Sequence, residues 1–128
     1  MSTQSNQDAK EIETIISTIK STVNEKNVRI VSWTIEEVQN HLGRLKDYLA
    51  HLDNALDFLS VVCDVLDSTN HLLRIPKNHL ESKLTLKSNI ASLEKEFGKY
   101  LQKTDLFRQL QFVSLLDSYA SHSETEDY

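Results

Sequence analysis

Counted alternately in threes and fours, one ladder of positions runs unbroken through Ile35, Val38, Leu42, Leu45, Leu49, Leu52, Leu56, Leu59, Cys63, Leu66, Asn70 and Leu73. Only Asn70 among them is polar. A period of 3.5 residues holds one apolar seam against a partner helix along its length. The pattern therefore predicts a single helix over about 34–74, roughly 60 Å long. Its start carries two signals. Thr34 and Glu37 are spaced as a capping box, and Trp33 and Val38 as a hydrophobic staple. An exposed aromatic that stacks on a ligand is the functional alternative for Trp33. Its end is set by Pro76, which lacks an amide proton and drives Ile75 out of the helical region.

Two further helices follow from the same spacing. Ile12, Ile15, Ile16, Ile19 and Val23 predict a helix over 8–25 whose seam is out of phase with the ladder, so 24–33 reads as an ordered connector. Asn78 with Glu81 offers a second cap. From Leu80 to Leu116 apolar residues recur at helical spacing, which predicts one long helix over 78–119, with Gly98 or Thr104 as places where it can kink. Residues 1–7 read as a disordered lead, 8–120 as a single helical bundle domain and 121–128 as an acidic disordered tail. The expected fold is all-α: a long antiparallel helical hairpin (34–74 and 78–119) with a shorter N-terminal helix, bundle- or coiled-coil-like.

Composition fits this picture. Two glycines and one proline in 128 residues leave few tight turns. Residues 34–75 hold seven acids and three bases, whereas 76–120 hold seven bases and five acids, a balance that favours pairing of the two segments. The net charge of −5 argues against a nucleic-acid binder, and the single cysteine excludes an internal disulfide. The polar N-terminal residues do not read as a secretory signal, and no apolar run reaches the roughly 20 residues of a membrane span. A cytoplasmic or nuclear location is expected.

The ladder segment is apolar on more than one side. Tyr48, Ala55 and Val62 flank the seam, and Phe58, Val61 and Val65 lie well round the helix. A helix that is apolar on nearly all sides is buried on several. Tyr48, Phe58, Val61, Val62 and Val65 are therefore the candidate protein-interface residues; an intramolecular core that uses them all is the alternative. Asn70 reads either as a register-fixing polar rung or as ordinary fraying near the corner, and Cys63 reads as a small buried hydrophobe.

Candidate chemistry is sparse. His41, His51, His71, His79 and His122 form no set with metal-ligand spacing. Glu37–His41, Asp47–His51 and Asp67–His71 are acid–histidine pairs four residues apart, which stabilise helix surfaces. Lys83, Lys87, Lys95, Lys99 and Lys103 read as a solvated face complementary to the acidic ladder helix. No catalytic residue, cofactor site or metal site is expected, and the chain reads as a non-enzyme. In general style, and through no specific motif, it resembles the small all-helical subunits of kinetochore, tethering and transcription-coactivator assemblies. The expectation is a helical assembly or adaptor subunit of an intracellular multiprotein complex. Its partners would be other helical subunits, in a hetero-oligomer or a homodimer. The alternative is a self-contained bundle that binds a small molecule, lipid or regulatory target.

Overall fold

A computed structural model describes the backbone of residues 2–25, 29–75 and 78–123 and the side chains of 7–25, 29–75 and 78–104. Among the described residues four helices follow one another: α1 (Ser2–Asn24), α2 (Ser32–Ala50), α3 (Leu56–Arg74) and α4 (His79–Ser123). There is no strand among the described residues. α2 packs against α1 and α3, and α4 packs against α3 and α1, so the helices close a ring in chain order. Their alignment is antiparallel. Asp57 near the start of α3 bonds Lys103 on α4 at 2.8 Å, and Ser68 further along α3 bonds Asn89 at 3.2 Å. The result is an all-α, up-and-down four-helix bundle.

The fold class expected from the pattern holds, and one element within it is corrected. The segment 34–74 is not one helix: residues 51–55 turn the chain back, and α3 returns alongside α2. The buried positions change with it. α2 buries Ile35, Val38, Leu42, Leu45 and Leu49, as the ladder requires. α3 buries Phe58, Val62, Val65, Thr69 and Leu72, each one residue before a ladder position, while Leu56 on the ladder is 76% exposed. Both series alternate threes and fours after Ala55, so spacing alone does not choose between them. Volume does: the series that folds inward carries Phe58, and folding back buries both arms without a second molecule.

Boundaries show what each local signal decided. α2 starts at Ser32, and the Thr34–Glu37 capping box does not form, because the Thr34 hydroxyl donates to the Arg29 carbonyl at 3.2 Å. The Trp33 ring stays 61% exposed while Val38 enters the core, so the staple does not close either. α3 ends at Arg74 as expected, with Ile75 extended at φ −109°, ψ 120°. The Asn78 cap also forms: its Oδ1 accepts the Glu81 amide at 2.7 Å. α4 then runs unbroken through Gly98 and Thr104 to Ser123, beyond the expected end at 119. α1 begins at Ser2, within the expected lead, and residues 124–128 of the expected tail lie outside the described residues.

The core is continuous. Ile12, Ile15, Ile16, Ile19 and Val23 of α1 join the α2 and α3 rows, and α4 contributes Leu86, Ile90, Leu93 and Tyr100. Polar groups link the helices around it. The Gln39 side-chain amide donates to the Asn70 carbonyl oxygen across α2 and α3, so Asn70 is an interhelical partner and not a frayed end. The Ile30 amide donates to His79 Nδ1 at 2.8 Å, which ties the α1–α2 connector to the start of α4.

Candidate interaction surface

The candidate interface residues do not share one surface. Phe58, Val62 and Val65 are core, at 2%, 0% and 5% exposure. The Phe58 ring lies 6.3 Å from that of Phe97 and 6.1 Å from that of Tyr100, both on α4. Val61 is half-buried at the lip of a shallow groove between α3 and α4, which Asn89, Ser92, Lys95 and Lys99 also line. Tyr48 is half-buried at the other side of the bundle, where its hydroxyl donates to Asp8 Oδ1 at 2.6 Å. The chain's own helices thus occupy the apolar faces of α3 that the sequence left open.

What they leave uncovered lies elsewhere. Ring topology brings the end of α1, the start of α2, the end of α3 and the start of α4 to one end of the bundle. That end carries Val31, Trp33, Leu73, Ile75, Leu80 and Leu84, all exposed, with Leu80 and Leu84 at 62% and 58%. Among the described residues Leu56 is the one other large apolar side chain so exposed, and it sits at the opposite end.

Phase explains the exposure. Trp33 precedes the buried Ile35 by two residues, and Leu84 precedes the buried Leu86 by two, which places each roughly 200° round its helix from the core row. Leu80 and Leu84 are four apart and so form one ridge on α4. Leu73 follows the buried Leu72, one residue past the core row, and Ile75 lies beyond the helix end. Fully burying such side chains is worth roughly 1.5–3 kcal/mol each. The charged rim is mixed. Arg29, Arg74 and Lys87 are exposed and Lys83 is half-buried, against exposed Glu25, Glu36 and Glu81.

The sequence contained the signal for this surface. Leu80 and Leu84 belong to the apolar spacing of α4, but they are out of phase with the row Leu86, Ile90, Leu93 and Tyr100 that becomes core.

Electrostatic perturbation is concentrated at the opposite end. Partial burial, then the bond and charge of Asp8, push the Tyr48 hydroxyl up to about 12. Burial and Asp8 also raise Tyr100. Lys103 holds the Asp57 carboxyl below its ordinary value; both groups are exposed, so this pair contributes little to stability. His41 is different: both ring nitrogens are buried without a hydrogen-bond partner, and Glu37 approaches Nε2 only to 3.8 Å. No group of three or more acidic, histidine or cysteine side chains that could hold a metal occurs among the described residues. No helix among them is long and apolar enough to cross a membrane.

These features define an up-and-down four-helix bundle with an uncovered apolar end. Comparison with family models, curated proteins and solved structures finds no match.

Proposed function

We propose that the chain is a non-enzymatic helical adaptor subunit of a cytoplasmic or nuclear multiprotein complex, and that it docks an apolar helix of another subunit at the Trp33–Leu84 end. One observation carries this reading: among the described residues, six large apolar side chains remain exposed at one end of a bundle whose core is otherwise continuous. Exposed apolar clusters of this kind mark docking surfaces more often than chance. The Leu80–Leu84 ridge and the Trp33 ring present anchors of the sort that dominate helix recognition. The small-molecule alternative has less support, since the grooves beside Val61 and Tyr48 are open to solvent and lined by charged side chains such as Lys95, Lys99, Arg44 and Asp47.

The experiment is a comparison of tagged wild type with Leu80→Ser/Leu84→Ser and with Leu56→Ser, each checked for native helicity. Quantitative mass spectrometry of what copurifies should show a set of proteins lost with the double variant and kept with Leu56→Ser. An identical set for all three chains overturns the reading.

A further inference from the structure

We infer that the turn at residues 51–55 is a hinge, and that a second copy of this chain exchanges its α3–α4 half through it. Three observations at different places in the fold lead there. First, the ladder phase of α2 continues through the turn: Leu49, Leu52, Leu56 and Leu59 keep the alternation of threes and fours across a place where the backbone reverses. A sequence selected only to turn has no need to keep that phase. Second, the turn His51-Leu52-Asp53-Asn54-Ala55 contains neither glycine nor proline, so nothing in it prevents helix. Third, Leu56 at the hinge is 76% exposed in the folded-back chain, the most exposed rung of the ladder, and its neighbours Leu52 and Leu59 are half-buried, as are the later rungs Cys63 and Leu66.

Straightening the turn joins α2 and α3 into one helix over 32–74. The α1–α2 and α3–α4 contacts survive within the chain. The α2–α3 and α1–α4 contacts are broken and remade with the corresponding helices of the second copy. Because the remade contacts are the same ones, the core is unchanged, which is why exchange of identical elements is an accessible route to dimers. New contacts arise only at the hinge, where the two straightened helices cross and the Leu52, Leu56 and Leu59 rungs of one meet those of the other.

The length of α4 fits this arrangement. It passes the level of the turn at Lys103, opposite Asp57, and continues to Ser123. That extension is about 30 Å, the length of a 19-residue helix such as α2 or α3. In the exchanged dimer the second bundle stands beyond the turn, and the α4 extension lies alongside it.

The test uses the full chain. Sedimentation equilibrium should show dimer in wild type at high concentration. Asp53→Ala/Asn54→Ala, which favours helix at the hinge, should strengthen dimerisation at least tenfold; Asp53→Gly/Asn54→Gly should weaken it. Leu56→Ser should weaken it while leaving the melting of the monomer unchanged. Exchange is distinguished from simple association by spin labels at positions 36 and 74 in a Cys63→Ala background, with labelled chain diluted into unlabelled. Folded back, both positions lie at one end of adjacent helices; exchanged, they are about 57 Å apart along one helix. A chain that stays monomeric in all variants, or a dimer that keeps the short intrachain distance, overturns the inference. So does a dimer lost in Leu80→Ser/Leu84→Ser, which would place self-association at the apolar end.

Discussion

The Tyr48 hydroxyl donates to the Asp8 carboxylate at 2.6 Å, joining the last turn of α2 to the second turn of α1. Asp8 is 8% exposed, so this bond gives a donor to a carboxylate largely removed from water. The hydroxyl is raised from 10.0 to about 12. The folded chain therefore holds this proton more tightly than the unfolded one. Its contribution to stability is full below the ordinary value and disappears as pH rises through about 12. Tyr48→Phe is expected to cost about 1 kcal/mol at neutral pH. It should also remove the highest-pH phase of a tyrosinate absorbance titration, leaving the raised Tyr100 phase in place.

Phe58 separates core from surface. At 2% exposure and against two rings of α4, its replacement by alanine should cost roughly 3–5 kcal/mol. Thermal melting followed by circular dichroism is expected to show a fall of more than 10 °C in Tm or loss of a cooperative transition. Leu84→Ser, on the exposed ridge, should move the same midpoint by no more than a few degrees.

His41 is expected to behave in the opposite sense. Its two ring nitrogens are desolvated without hydrogen bonds, so the side chain retains a cost that an apolar replacement lacks. His41→Leu should stabilise the bundle by about 1 kcal/mol, read as a higher urea midpoint with an unchanged slope. A lower midpoint would show that the imidazole packs better than its missing partners imply.

Trp33 is the single tryptophan of the chain, and it stands in the exposed apolar end. Its emission should lie at long wavelength and be quenched readily by iodide in the isolated protein. Binding of a subunit at this end should shift the emission to the blue and protect it. Quenching that is slow before any partner is added would mean that the ring is already covered.

Particular residues show how far the sequence could be read. The helical class, the stop at Arg74 and the Asn78 cap were legible because each depends on a few neighbouring residues: a repeating period, a proline, a side chain three positions from an amide. The reversal at 51–55 was not, because Asp53 and Asn54 are weak turn signals inside a strong period, and the choice depends on where Phe58 finds Phe97 and Tyr100, about 40 residues away. The candidate interface suffered for the same reason. Phe58, Val62 and Val65 stand off the ladder, and a helix judged alone cannot say whether its second apolar face meets its own chain or another. Asn70 also needed its partner Gln39, on a helix that only the reversal brings alongside. The exposed Leu80 and Leu84 could have been noticed as a pair out of phase with Leu86 and Ile90.

The ring order of the helices has a consequence for how the bundle comes into being. α1–α2, α2–α3 and α3–α4 contacts all join neighbours in the chain, and only the α1–α4 seam joins its two ends. Local contacts form quickly because little chain entropy is lost in closing them. The first three helices are thus set to assemble while the polypeptide is still being made. The flank of α1 that α4 covers, marked by the Lys20–Glu94 pair, then waits for the last third of the chain, so the emerging protein leaves that flank open while α4 is still incomplete.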